Sequence, residues 1–229
     1  MSSQALWYLT RATGVVAMVL LTVTILLGVI GSARVASERW PRLVTAGLHR
    51  NLALTATALV GVHIITTVLD PFVSISVAAV FIPFTSSYRP IWLGLGALAL
   101  DLLLVVLITS LLRDRLNQRA WQAIHFLVYA CWPIALWHAL GTGTDTRLRW
   151  ILIVYAACVA AVIAAVWWRL TLASSRQLKM TCAAAVAVVT VLTVIFALAG
   201  PLQAGWAARA GTPPALLGLH VVQALGARS

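Results

Sequence analysis

The sequence predicts an all-α protein, a polytopic membrane bundle of six transmembrane helices. Three observations point there. Hydrophobic residues make up 62% of the 229 residues and charged residues 9%, with a mean hydropathy of +1.00. A soluble domain carries roughly 25% charged residues, so this chain lacks the polar surface that water demands. Six apolar runs recur along it, each near the ~20 residues that a helix needs to cross a bilayer. Nearly all the charged side chains are grouped between those runs.

The first run covers about residues 7–31. A secretory signal peptide is the competing reading, with Gly31-Ser32-Ala33 as its cleavage site. The run is longer than an apolar signal core, and Arg11 alone supplies positive charge at its start, so a retained helix is expected. The second run spans about 44–69, the third 91–112 and the fourth 121–140. The fifth spans 150–170 and the sixth 181–200, stopped by Pro201. Between the second and third lies Asp70 to Pro90, too polar and proline-broken to cross; its apolar piece, Val73 to Phe84, has the length of an interfacial or re-entrant segment. Residues 1–200 are expected to form one domain and 201–229 an extracytoplasmic tail, with 215–225 able to lie along a membrane surface. Six spans occupy about half the length, leaving no room for an appended nucleotide-binding domain of ~100 residues.

The formal charge of +11 comes from sixteen Lys and Arg against five Asp and Glu. Ten of the positive residues fall in the first, third and fifth loops: Arg34, Arg39, Arg42, Arg50, Arg113, Arg115, Arg119, Arg169, Arg176 and Lys179. Six fall on the other side: Arg11, Arg89, Arg147, Arg149, Arg209 and Arg228. The positive-inside rule places the odd loops in the cytoplasm and both termini outside a cell membrane, with anionic lipid headgroups as partners of the basic loops. No basic stripe interleaves with exposed aromatics, so nucleic acid is not an expected partner. Cys131, Cys158 and Cys182 all lie inside apolar runs without a C-x-x-C pattern, which indicates neither a disulfide framework nor covalently attached haem.

Four of the five histidines form two pairs, His49 with His63 in the second span and His125 with His138 in the fourth. Ionisable groups in hydrocarbon are costly and usually functional. Both spans run from cytoplasm to outside, so His49 and His125 fall at similar inner depth, His63 and His138 at similar outer depth. Fourteen residues advance a helix by ~21 Å and nearly complete four turns, which puts His49 and His63 on one face. The other pair is thirteen apart; a kink at Pro133 with a distorted turn is the expected realignment. Two levels with one imidazole from each helix suit bis-imidazole ligation of b-type haem. Zinc fits less well, because two ligands per level fall short of four and no carboxylate or thiolate lies one turn away. Satisfied interhelical hydrogen bonds are the bland alternative, and His220, alone in the tail, keeps that reading.

With these residues in hand, the chain resembles the ferric reductase-like transmembrane domain family. That family includes the membrane halves of ferric reductases and NADPH oxidases, and the haem subunit of bacterial methionine sulfoxide reductase. The resemblance runs from about Leu6 to Trp168 through Y-L-T-R-A-T-G (8–14), L-H-R (48–50), I-P-F-T-S-S-Y-R-P-I-W (82–92) and W-Q-A-I-H (121–125), with G-T-G-T-D (141–145) as in small stand-alone bacterial members. It implies a two-haem core, with His49, His63, His125 and His138 as axial ligands of two haem b irons. It also implies transmembrane electron transfer as an oxidoreductase component. The larger reductases add cytoplasmic FAD and NAD(P)H domains, whereas no G-x-G-x-x-G follows a strand pattern here. Electrons are therefore expected from quinol, or from FMN or FAD on a separate flavoprotein, including an extracytoplasmic FMN-binding or reductase partner.

Other residues carry two readings each. Arg50 follows His49 and suits a haem propionate, or it snorkels as a topology charge. Arg11, Arg89, Arg147 and Arg149 suit an outer propionate or lipid headgroups. Asp101, mid-span, suits an imidazole-orienting carboxylate or proton carrier, or a protonated interhelical bond. Asp145 suits a hard oxygen ligand for ferric iron, or a turn, and Ser86 and Ser87 lie in the other outer loop. Trp7, Trp92, Trp121 and Trp150 read as interfacial anchors; Trp132 and Trp137 suit helix packing or a porphyrin face. Two rival function classes stand beside the cytochrome: a haem-free transporter or channel using the histidines for protons or metal ions, and a non-catalytic anchor of a redox complex. Transporters often carry paired Gly/Pro-broken helices, whereas Pro133 alone breaks a span here.

Overall fold

The computed structural model describes residues 3–33, 42–71, 73–143, 146, 148–172, 176–214 and 216. Among them the chain is all-helical, without strands. In order come α1 (Ser3–Ser32), α2 (Arg42–Leu69), α3 (Val77–Phe81), α4 (Pro90–Leu111), a 3₁₀ turn (Arg113–Arg115), α5 (Gln118–His125), α6 (Val128–Thr142), α7 (Arg149–Thr171), α8 (Arg176–Ala199) and α9 (Trp206–Arg209). Six helical stretches are long and apolar enough to cross a membrane: Gln4–Ser32, Leu43–Leu69, Pro90–Leu111, Gln118–Thr142, Arg149–Thr171 and Cys182–Ala199. The chain is thus a multi-pass membrane protein. Arg34, Arg39, Asp145, Arg147, His220 and Arg228 lie outside the described residues.

The chain divides into two compact units. The first comprises residues 1–66 and 148–195, in which α1 packs along α7. Met18, Thr22, Ile25 and Val29 are buried on α1, and Ile151, Tyr155 and Cys158 on α7. These positions recur at the three-to-four-residue interval of a single helix stripe. The α1 threonines avoid an unsatisfied hydroxyl in the apolar interior by bonding back one turn. Thr22 donates to the Met18 carbonyl at 2.9 Å and Thr24 to that of Leu20 at 2.7 Å. A Thr10–Thr66 hydroxyl bond of 2.8 Å ties α2 to α1.

The second unit comprises residues 67–147 and 196–229. Its spine is the α4–α6 pair, burying Ala97, Ala99, Leu103 and Val106 against a set that includes Cys131, Trp132, Leu136 and Leu140. The segment before α4 does not cross. Ser76 caps the short α3 by accepting from the Ala79 N–H at 3.3 Å, and α3 lies against α4. Phe84 then turns through φ +67°, an uncommon conformation for a bulky residue. Its ring and backbone lie where a Cβ at Gly94 would fall, so glycine there is what admits the turn. Pro90 begins α4 at a position where its missing N–H has no helical partner to lose.

The fourth span departs from the expected single helix kinked at Pro133. Pro133 lies inside α6, which continues through it, and the break falls earlier, between α5 and α6 at Phe126–Leu127. A proline supplies no N–H to the carbonyl one turn back and crowds it. The winding upstream tightens into three-residue bonds: Leu127 to Ile124 at 2.9 Å, Tyr129 to Phe126 at 3.0 Å and Ala130 to Leu127 at 3.0 Å. A 3₁₀ turn rotates ~120° per residue where an α-helix rotates ~100°. That extra rotation has the sign that a thirteen-residue histidine spacing needs.

Candidate functional site

The four membrane histidines are held by one device with variations. On α2, His49 Nδ1 lies 2.9 Å from the Thr24 carbonyl and His63 Nδ1 lies 2.7 Å from the Thr10 carbonyl. Both acceptors belong to α1, fourteen residues apart like the histidines themselves, and the pairing shows that the two helices run antiparallel. In the second unit, His138 Nδ1 lies 2.9 Å from the Trp92 carbonyl of α4. A carbonyl only accepts, so Nδ1 carries the proton in all three and donates it. In a neutral ring this leaves the lone pair on Nε2, the form that ligates a metal, and the carbonyl raises the ring's basicity as a ligand.

His125 differs. Its Nδ1 lies 3.4 Å from the Ser110 hydroxyl, a longer contact to a group that can donate or accept. Its ring stacks on Trp121, with centroids 5.0 Å apart and planes at 25°, and Arg113 lies over the indole, 4.6 Å from its centroid. The sequence reading of Trp121 as an interfacial anchor missed this stack, although tryptophan four residues before histidine on a helix is a contact spacing. The Trp121 indole N–H is buried with no hydrogen-bond partner among the described residues, a costly state unless an acceptor arrives.

Asp101 is not among these Nδ1 partners; carbonyls and Ser110 do the orienting expected of it. Arg50, beside His49, is exposed. Arg11 lies 3.4 Å from the Trp7 ring centroid as a cation–π pair. Arg89 is the clearest surprise. Neither headgroup nor solvent reaches it, for it is 1% exposed. Its Nε donates to Thr212 Oγ1 at 2.9 Å, and one Nη donates to the Gly141 and Thr142 carbonyls at 3.0 Å each. Those carbonyls end α6, so the cation caps the negative end of the helix that carries His138. Burial pulls the Arg89 guanidinium below its ordinary pKa, with the neighbouring Tyr88 acting in the opposite sense. Its backbone, at φ +43°, is left-handed and is held by an N–H bond of 3.0 Å to Gly211.

Around that arginine the chain after Pro201 folds back within the second unit. Trp92 stacks on Phe196, centroids 4.5 Å apart, and contacts Trp206, whose indole donates to the Gly141 carbonyl at 3.0 Å. Trp92, expected as an anchor, instead packs in this aromatic cap and offers its carbonyl to His138. Among the described residues no three His, Cys, Asp or Glu side chains come together.

Apolar spans that hold imidazoles against backbone carbonyls define a multi-pass membrane protein with histidines fixed inside its helices. The family model for the ferric reductase like transmembrane component matches residues 13–136, and the chain belongs to that family. The match includes His49, His63 and His125 and ends two residues before His138. No curated protein and no solved structure gives a significant match.

Proposed function

We propose that the protein is a b-type cytochrome that carries electrons across the membrane through two bis-histidine haems, as the membrane component of a ferric reductase-like oxidoreductase. The observation that carries the reading is the fixed tautomer: three imidazoles on two separate histidine pairs give their Nδ1 proton to a backbone carbonyl. A Nδ1 proton held by a carbonyl makes Nε2 the ring's basic nitrogen, which is the arrangement an axial ligand needs. The donor set also fits haem. Two imidazoles would hold each haem iron, and the buried Trp121 N–H and exposed Arg50 are donors of the kind a propionate accepts.

Haem b supplies one-electron chemistry when bound; the chain does the rest. By their matching depths along the sequence, His49 and His125 would hold one haem and His63 and His138 the other. The α1 and α4 carbonyls hold the rings in place, and apolar spans exclude water. By charge distribution, the loops after α1 and α7 and the turn between α4 and α5 face the cytoplasm and both termini face outside. Electrons enter from quinol or a flavoprotein, and the outer pair delivers them to an extracytoplasmic acceptor or FMN-binding partner.

Proteoliposomes loaded with ferricyanide test this. Addition of an external membrane-impermeant reductant is expected to bleach the internal ferricyanide in the presence of the protein, and His63→Ala with His138→Ala to abolish it. Equal bleaching by that double variant would overturn the reading.

A further inference from the structure

Each carbonyl that accepts an imidazole is followed four residues later by glycine: Thr10 by Gly14, Thr24 by Gly28 and Trp92 by Gly96. In an α-helix the residue at i+4 donates its N–H to the carbonyl of residue i, and its Cβ leans toward the N-terminus. A side chain there stands over the very carbonyl that an incoming ring must reach. A Cβ at Gly96 would lie 2.5 Å from His138 Nδ1, one at Gly14 would lie 3.1 Å from His63 Nδ1, and one at Gly28 would lie 3.4 Å from His49 Cε1. Glycines at Gly47 and Gly61 in α2 would meet nothing within 4 Å. Glycine within a helix weakens it compared with alanine, so packing of small residues alone does not explain three glycines in this one register.

We propose that Gly14, Gly28 and Gly96 are imidazole seats: positioning residues that open a helix surface so that His63, His49 and His138 can reach a backbone carbonyl, and thereby set the orientation and basicity of the axial ligands. The proposal rests on the haem reading above. At His125 the Nδ1 lies against the Ser110 side chain, which reaches out from the helix and requires no notch in it.

The test is a graded alanine series in the purified, haem-loaded protein, read by haem per chain, midpoint potential and the low-spin EPR envelope. Gly96→Ala is expected to change all three most, with at least a twofold loss of haem. Gly14→Ala should shift the potential and g-values with smaller loss, and Gly28→Ala should shift them least. Gly61→Ala should match wild type. Gly94→Ala is the packing control: its Cβ meets Phe84, so it should lower thermal stability while leaving the EPR envelope of the bound haem unchanged. If Gly96→Ala does not accumulate, the ranking of Gly14→Ala against Gly28→Ala and Gly61→Ala decides. A series in which the seat variants match Gly61→Ala, or in which Gly94→Ala alters the envelope as they do, overturns the seats and leaves the cytochrome standing. A haem-free wild type overturns both.

Discussion

His49 and His63 lie fourteen residues apart on one unbroken helix, α2, while His125 and His138 lie thirteen apart on a stretch broken between α5 and α6. The first pair needs no distortion, because fourteen residues nearly close four turns. Its partner α1 repeats the same interval in Thr10 and Thr24, so two straight antiparallel helices match carbonyl to imidazole twice. The second pair requires added rotation, and the three-residue bonds upstream of Pro133 contribute rotation of that sign. Its supports, Trp92 and Ser110, lie eighteen residues apart on α4, an interval of five ideal turns. They therefore share a face, but one offers a carbonyl and the other a hydroxyl. Regular spacing yields two equivalent supports, whereas a broken helix yields one firm support and one loose one.

The largest expected effect breaks the pairs themselves. His63→Ala and His138→Ala should each remove about half of the haem, since either loss leaves an iron with one axial ligand. Pyridine haemochrome assay against protein concentration measures this. A change in only one variant would contradict the pairing.

Arg89→Met follows. It strips the capping cation from α6 and leaves three acceptors in the aromatic cap, each charge-assisted bond contributing about 1.5–3 kcal/mol. Apparent Tm in detergent should fall markedly, while Arg11→Met, whose interaction with Trp7 is a cation–π contact worth ~0.5–2 kcal/mol, should lower it less.

Pro133→Ala sharpens the comparison further. Restoring an N–H to the Tyr129 carbonyl should relax the tight winding and turn His125 away from His138. Perturbation is expected in the EPR features that depend on His125 or His138, without loss of overall helicity by far-UV circular dichroism. Ser110→Ala is the smallest change. A 3.4 Å contact contributes little, about 0.5 kcal/mol or less, so haem content should stay at wild-type level with only a slight shift in midpoint potential.

Much of this was legible in the sequence for plain reasons. Apolar runs of span length can only be helices in lipid, so the six spans and the non-crossing segment from Asp70 to Pro90 followed from composition. The four histidines stood out because imidazoles are rare at such depths. What supports them did not stand out, because a backbone carbonyl leaves no mark in side-chain identity. The glycines at 14 and 28 did leave one, a fourteen-residue interval equal to that of His49 and His63. Arg89 was hidden for another reason: its burial depends on Thr212 and Gly211, more than 120 residues away, and on the end of α6. The break at Phe126 falls one turn and more before Pro133, where the winding tightens into three-residue bonds, rather than at the ring itself.

The central claim, two bis-histidine haems per chain, is tested most directly by an absorption spectrum with haem stoichiometry on protein purified from haem-replete membranes. The account predicts about two haem b per chain, with a Soret band and a sharp α band on dithionite reduction. A colourless preparation of the folded protein would contradict it.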